Sequence, residues 1–430
     1  MNGQLQPGTV LTSQAQVHYK VLSLLGAGGQ GEVYEVEAGS TRMALKWYYP
    51  KSAQPQQLEI LKRLVEMGAP DGAFLWPEDL IFAPEGKTFG YVMPLRQKNY
   101  KGLVDLLKCR VEMSLYTRCR IAYNLSRAYE KLHASGNCYR DINYNNLFFD
   151  PATGDVRICD NDNVAPKDMP GLVKGTYGFM APEIIRGEAK PSRYTDQFSL
   201  AVLLFHLFMI AHPLLGKRES SIKCWDIHAQ DMLYGTHPVF IYDPGDDSNR
   251  PDPAVHGNAI AYWKVYPQEL KDLFTESFTT GLFEPNRRVT EKRWMDAAAN
   301  LMCGVRRCPK CGAEVFYDEA KAEKGHVCWN CKFPVPMAGV LQIGKRRLLI
   351  QPDARLFSHQ ISGNYDMQTV VGTVVWNPKN PSLLGLRNDS RENWTYLKAD
   401  GAQVPVAPGR SAAIVRGAGI DFGLKKGEFR

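Results

Sequence analysis

Apolar and polar residues alternate from about residue 19 to 36 around a cluster of glycines, a period of two that predicts strand, turn and strand. A further strand is predicted at 43–48, and Pro50 to Pro55 bracket a loop. Leu58, Ile60, Leu61, Leu64 and Val65 then recur at the spacing of a helix. Strands at 79–82 and 89–93 complete a β-rich piece. From residue 103 the period turns helical, running to 133 and resuming at 196–210, 267–280 and 291–302. A β-rich piece followed by a helix-rich one is an α+β arrangement. The apolar run 200–210 is broken by His206 and falls far short of the ~20 residues of a membrane span, so it predicts a core helix and no membrane association. Beyond residue 337 the helical period disappears. Short β-type runs at 348–350, 369–375, 383–386, 395–397, 411–415 and 420–422 lie between Gly, Pro, Asn and Asp, the pattern of a small all-β sandwich.

Composition changes this picture little. With 44% apolar and 23% charged residues in 430, the chain matches folded rather than disordered usage. Its net charge of 52 − 45 = +7 is too dilute to point to nucleic acid by itself. Residues 1–16 are polar and carry no apolar signal segment. Of ten cysteines, six are scattered singly and four form two Cys-x-x-Cys pairs, which predicts a reducing, cytoplasmic setting with one metal site.

Candidate chemistry begins at Gly26-Ala27-Gly28-Gly29-Gln30-Gly31-Glu32-Val33, whose glycines let backbone N–H groups approach a phosphate. A strand follows the string where a dinucleotide fold requires a helix, which points to a loop over ATP phosphates. Lys46 lies on the next strand, and Glu59 on the following helix is placed to hold it towards those phosphates. Asp141 and Asn146, five residues apart in a loop, supply a carboxylate for an acceptor hydroxyl and an oxygen for magnesium. Asp160, in Cys159-Asp160-Asn161-Asp162, supplies a second metal ligand. Downstream come Gly175-Thr176 and Met180-Ala181-Pro182-Glu183, then Asp196 opening the apolar helix, then Arg288.

The order and spacing of these motifs resemble the eukaryotic-type protein kinase family over about residues 19–303, with a small lobe at 19–97 and a large lobe at 98–303. The resemblance implies a two-lobed kinase-like fold with ATP in the cleft. It implies a nucleotide site of Gly26, Gly28, Gly31, Val33, Ala44, Lys46, Glu59, Met93 and Leu95, with Lys46 on the α/β-phosphates and paired to Glu59. Asp141 becomes the catalytic base, and Asn146 and Asp160 become ligands of Mg2+ or Mn2+. Asp196 braces the catalytic loop, Glu183 and Arg288 form a structural ion pair, and Thr176 bonds near Asp141. Three positions depart from the family pattern. Tyr139 replaces the usual His, and Asn143 replaces a Lys, so it brings only a hydrogen bond to the γ-phosphate. Asp160-Asn161-Asp162 replaces Asp-Phe-Gly, keeping the metal ligand and losing the Phe switch. Gly175-Thr176 with Ala181-Pro182-Glu183 resembles the serine/threonine branch, which implies protein substrates. The alternative is a nucleotide-binding pseudokinase scaffold. No Ser, Thr or Tyr lies between Asp160 and Gly175, so Asp162 or Asp168 is expected to give Arg140 a permanent carboxylate partner.

Cys308-x-x-Cys311 and Cys328-x-x-Cys331 are spaced for one four-thiolate zinc site without an open position, a structural ribbon at 304–336. Arg306, Arg307, Lys310, Lys321, Lys324 and Lys332 surround it. They read as charge compensation and solvated surface ahead of a nucleic-acid contact. Residues 337–424 faintly resemble a forkhead-associated sandwich through Ile343-Gly344-Lys345-Arg346, a loop Ser358-His359 and the stretch 388–394, with a solvated His359. The flanking segments 1–18 and 425–430 read as tails. This domain order resembles bacterial kinases paired with a PP2C-type phosphatase and a von Willebrand A-type protein, which are the partners it implies.

Overall fold

The computed structural model describes residues 3–84, 86–167, 169, 175–337, 339–364, 366–377 and 380–430. Two compact units divide the chain: Met1–Met113, Arg120–Tyr262 and Leu273–Trp294 in the first, and Ser114–Cys119, Trp263–Asp272 and Met295–Arg430 in the second.

The first unit begins with an antiparallel sheet of six strands: β1 Val10–Thr12, β2 His18–Ala27, β3 Gly31–Ala38, β4 Thr41–Tyr48, β5 Asp79–Phe82 and β6 Phe89–Pro94, in the order β1-β2-β3-β4-β6-β5. Alternation along β4 decides which side each residue serves. Leu45 and Trp47 join Tyr34, Val36 and Val92 on one face, while Ala44 and Tyr48 join Leu61, Tyr91 and Met93 on the other. Lys46 therefore points to the second face, where helix α1 (Pro55–Met67) packs. Pro55 starts this helix at a position whose N–H has no helical partner, and Gly68 follows its end.

Residues 3–17 are folded, which corrects the expected tail. Strand β1 pairs with β2, the Gln4 and Leu5 amides donate to Glu32 and to the Tyr34 hydroxyl at 2.8 and 3.0 Å, and Leu5 and Leu11 pack on the outer core. The buried Tyr34–Glu32 pair provides these acceptors, and the sequence pattern alone does not expose it.

Two long helices, α2 (Leu115–Ala134) and α3 (Arg193–Met209), organise the helical part. Helix α3 is buried all round from Thr195 to Met209, in keeping with its long apolar run, and His206, which interrupts that run, is buried with the rest. Its first turn is closed by Ser192 and Thr195, each bonding the other's backbone N–H. No helix among the described residues is long and apolar enough to cross a membrane.

Around α3 lies a buried charge network that the sequence pattern did not reveal. His133 Nε2 lies 3.0 Å from Asp196 and Nδ1 lies 2.6 Å from Glu291, which also takes Arg193 at 2.8 Å and Gln197. Two carboxylates facing one imidazole require both nitrogens to donate, so the ring is charged. Burial alone would push His133 down, but the bonds to Asp196 and Glu291 outweigh it and raise the pKa from 6.5 to about 9. Burial likewise opposes ionisation of Glu291, yet His133 and Arg193 hold it down at about 2.

The second unit contains two small hairpins, Val305–Arg307 with Glu314–Phe316 and His326–Val327 with Pro334–Val335. Beyond them the chain forms two antiparallel sheets. Their strands are β7 Val340–Ile343, β8 Arg346–Leu349, β9 Arg355–Phe357, β10 Val370–Asn377, β11 Asn380–Asn388, β12 Trp394–Leu397, β13 Gln403–Val406, β14 Ser411–Ala413, β15 Gly419–Asp421 and β16 Lys426–Phe429. One sheet has the order β8-β7-β16-β15-β12-β13 and the other β9-β10-β11-β14. Leu341, Leu356, Val374, Leu386, Trp394 and Ile420 bring both into a single core.

Two expectations are corrected here. Residues 425–430 are no tail: β16 runs between β7 and β15, and Arg430 and Val340 exchange backbone bonds at 2.9 and 3.0 Å. Its Gly427 and Phe429 are buried while Lys426 and Glu428 are exposed, a strand alternation too short to stand out among charges. Ser358-His359 opens a helical turn, Ser358–Ser362, started by the Phe357 amide bonding Gln360 at 2.8 Å. His359 is consequently buried at 1% exposure rather than solvated.

The His133 network makes stability depend on pH with a definite sign. A raised pKa gives its full contribution below 6.5 and loses it as pH climbs through about 9. The lowered Glu291 gives its contribution above 4.5 and loses it as pH falls towards about 2. His133→Gln should therefore cost on the order of 3 kcal/mol near pH 6, with the difference from wild type shrinking by pH 9.5. Urea unfolding at pH 6, 8 and 9.5 measures this; a difference that stays constant across the three contradicts a charged His133.

Candidate active site and metal centre

The glycine-rich turn joins β2 to β3, with the Gly28 amide donating to the Gly31 carbonyl at 2.8 Å. Gly31 is required by the fold, since a Cβ there would lie 2.2 Å from the Trp47 carbonyl oxygen. Gly26, Gly28 and Gly29 face open space, so packing does not demand them. Below this turn, Val33, Ala44, Met93 and Leu95 belong to one apolar cluster with Leu61, Leu80 and Cys159.

Lys46 has 8% side-chain exposure, and its ammonium meets two carboxylates, Asp162 at 2.7 Å and Asp160 at 3.3 Å, together with Gln30 Oε1 at 3.4 Å. Burial opposes its charge, but Asp162 and then Asp160 more than reverse this and raise its pKa. The expected pairing of Lys46 with Glu59 is absent. Glu59 is 64% exposed and bonds Lys62 at 3.2 Å. The buried stripe of α1 is Gln57, Ile60, Leu61 and Leu64, and Glu59 falls outside it. From that stripe the Gln57 amide donates to the Asp162 carbonyl at 2.7 Å, and the Tyr48 hydroxyl donates to the Asp162 carboxylate.

Asp160 takes left-handed backbone angles, φ 54 and ψ 47, and its side chain is 47% exposed. The next residue holds the turn in place: the buried Asn161 amide donates to the carbonyls of Leu75 and Ile158 at 2.7 and 3.1 Å. A polar anchor thus stands where the family pattern has Phe.

The loop that carries Asp141 hangs from Asp196, whose two oxygens accept the Tyr139 and Arg140 amides at 2.6 and 3.0 Å. This grip sustains Arg140 at φ 76, a costly conformation for a residue with a side chain. Tyr139 stacks edge-on to Tyr129, and its hydroxyl donates to the Cys159 carbonyl, joining the two loops. Asp141 accepts the Thr176 hydroxyl at 2.7 Å. Asn146 donates its amide to the Asp141 carbonyl at 3.1 Å, which turns its side-chain oxygen into the available ligand atom. Asn143 donates to Thr176 and to the Asp141 carbonyl at 3.2 and 3.1 Å. Both its N–H donors are in use, so it braces the loop rather than reaching for a phosphate. Arg288 and Glu183 form a buried two-bond pair, each bond 2.8 Å, and Arg288 also caps the Gly281 and Tyr194 carbonyls.

Of the two carboxylates expected for Arg140, Asp162 is not its partner. The Arg140 guanidinium donates to the Pro166 and Met169 carbonyls at 2.6 and 2.7 Å, while Asp162 is committed to Lys46. Asp168 lies outside the described residues.

In the second unit the four sulfurs of Cys308, Cys311, Cys328 and Cys331 lie within 4.8 Å of one another, with Cys308–Cys331 and Cys311–Cys328 both at 3.6 Å. A tetrahedral thiolate site with bonds of ~2.3 Å has sulfurs about 3.8 Å apart, so the donor set fits a metal ion. The Ala313 amide and the neighbouring sulfurs lower the Cys311 pKa to about 6, favouring the ligating thiolate.

Of the groups outside the expected site, Gln57 was legible in the helical spacing of α1, and Asp162 in its place beside Asp160. Tyr48 is marked only by sharing a strand face with Lys46. Nothing local to His133 or Glu291 marks them.

Comparison with known proteins agrees with this geometry. The chain is 28% identical over 262 residues to the DNA damage-responsive serine/threonine-protein kinase RqkA of Deinococcus radiodurans, a match covering 58% of this chain and 36% of that protein. It is 25% identical over 307 residues to the protein kinase YegI of Escherichia coli, covering 66% and 45%. It is 29% identical over 213 residues to the serine/threonine-protein kinase PknA of Mycobacterium tuberculosis, covering 46% and 48%. These matches span less than half the length of each relative. The protein kinase domain model matches residues 19–298, and with that match over most of its length the chain belongs to the protein kinase family.

Proposed function

We propose that this chain is a serine/threonine protein kinase that transfers the γ-phosphate of ATP to protein hydroxyls with Mg2+ or Mn2+. The reading is carried by the convergence of Lys46 with Asp160 at 3.3 Å beside a loop in which Asn146 is tied to Asp141. Lys46 would hold the α/β-phosphates under the glycine-rich turn, and the cluster around Ala44 and Met93 would take the base. Asp160 and the Asn146 side-chain oxygen would ligate the cation, which would supply positive charge against the phosphates. Asp141 already accepts a hydroxyl, that of Thr176, and its other oxygen would accept the proton of the substrate serine or threonine. Asp196 fixes this geometry through two amides. We assign zinc to the four cysteines as a structural ion. We also assign a sandwich to the two C-terminal sheets, distantly forkhead-associated-like, serving with the ribbon to dock protein partners. The domain resemblance suggests a PP2C-type phosphatase and a von Willebrand A-type protein among them.

Asp141→Asn should reduce transfer from [γ-32P]ATP by a hundredfold or more, on the order of the usual worth of a general base, and change Mg·ATP affinity by less than about threefold. Asp160→Ala should weaken Mg·ATP binding as well. Asp141→Asn transferring as fast as wild type would sink the mechanism. A wild type that binds Mg·ATP without transferring phosphate supports the scaffold reading instead.

Cys311→Ser should lower zinc from about one ion per chain towards none and raise protease sensitivity across 304–336, because ligation supplies that segment's folding energy. Mg·ATP affinity should stay within about twofold, since the first unit has its own core. Elemental analysis that finds no zinc in wild-type protein prepared without chelator removes the assignment.

A further inference from the structure

We propose that Asp162, and not Glu59, is the positioning residue that holds Lys46 for the ATP phosphates. The inference deepens the kinase reading and rests on it for the role of Lys46. Three observations support it. The Asp162 side chain is 1% exposed and its Oδ2 is 2.7 Å from Lys46 Nζ, the shortest contact that ammonium makes. The carboxylate is itself fixed, since Tyr48 donates to the same oxygen and Gln57 to the backbone carbonyl. Glu59, the other candidate, is 64% exposed and paired with Lys62.

The chemistry of the grip follows from the donors. An ammonium has three N–H bonds, directed here at Asp162, Asp160 and Gln30. The Gln30 contact, from the glycine-rich turn, is the longest at 3.4 Å and pairs with a neutral oxygen, so it is the one a phosphate oxygen displaces most readily. Asp160 is half exposed and is the proposed metal ligand. Asp162 is the carboxylate left to orient Lys46 when metal and nucleotide are bound. Because Asp160 and Asp162 lie on one short turn, anchored by Asn161, the lysine and the metal ligand are held in common register.

The test compares Asp162→Asn, Asp162→Glu and Glu59→Gln in the full chain, with the first repeated on a Lys46→Met background. Two readouts are taken: Mg·ATP affinity by displacement of a fluorescent ATP analogue, and steady-state kcat and KM for ATP. Asp162→Asn should weaken Mg·ATP binding about tenfold or more and raise KM for ATP, as the loss of a charge-assisted bond implies. Asp162→Glu should recover part of that loss, and Glu59→Gln should lie within about twofold of wild type. On the Lys46→Met background Asp162→Asn should add less than about twofold, because its effect passes through the lysine. Two results overturn the proposal: Asp162→Asn binding Mg·ATP like wild type, or Glu59→Gln losing tenfold. The second needs only an exposed substitution, so it decides the matter even if Asp162→Asn unfolds on melting. Because affinity is read without phosphoryl transfer, a chain that binds but does not transfer would fail the kinase reading while still judging Asp162.

Discussion

Taking a lysine ammonium almost wholly out of water costs several kcal/mol unless carboxylates and further hydrogen bonds replace its hydration. Much of the first unit can be understood as meeting that demand for Lys46. Strand alternation turns the side chain to the inner face of the sheet, where Ala44, Leu61, Tyr91 and Met93 exclude solvent. Two carboxylates must then be brought to it from more than a hundred residues away, which fixes the turn at Asp160 to Asp162 against β4. That turn is in turn held by Asn161 on two carbonyls, by Tyr48 and by Gln57. Breaking a contact to the buried Asp162 or Asn161 leaves a polar group without its partner, so the small sheet and the turn at Asp160 to Asp162 are energetically coupled.

A second buried charge does similar work in the helical part. Asp196 accepts two backbone amides of the loop that carries Asp141 and is faced by a charged His133, which Glu291 faces from the other side. The imidazolium donates to the same Asp196 oxygen that takes the Tyr139 amide, so the side chain is held from both sides. The left-handed Arg140, and with it the direction of Asp141, therefore depends on residues from helices far apart in sequence.

How much of this was legible in the sequence differs by kind of feature. Helix α1 followed from period, because it buries one face and leaves the other wet, whereas β4 and α3, buried on all sides, followed from their apolar runs. The residues Lys46, Asp141, Asn146, Asp160 and the four cysteines stood out through spacing, since chemistry demands particular side chains at particular separations. The partner of Lys46 did not, because a motif names a residue while burial depends on the face of the helix that carries it. Glu59 lies one position before Ile60, and the three-to-four repeat that predicts α1 assigns the inward face to Gln57 instead. Residues 3–18 and 425–430 failed as tails for a different reason. Their strands are short, the second one charged as well, and they are stabilised by partners distant in sequence, Glu32 and Tyr34 for one and β7 and β15 for the other. His133 and Glu291 were hidden most deeply, as one helix residue among many whose meaning appears only when three helices cross.

The tie between α1 and the active-site turn is neutral, and that has a physical consequence. A carboxylate on α1 would couple Lys46 to the helix by an ion pair whose loss leaves both charges to be solvated, a two-state element through which displacement of the helix switches the lysine. Here α1 contributes an amide to a backbone carbonyl, worth about 0.5–1.5 kcal/mol net, and both charges that Lys46 needs sit on the turn itself. Displacing α1 would loosen the turn without removing either carboxylate from the lysine. The Arg140 guanidinium also donates to main-chain carbonyls, those of Pro166 and Met169. At α1 a charged partner that could be moved with the helix has been replaced by carboxylates on the turn itself, and the geometry around Lys46 and Asp160 is thereby built into that turn.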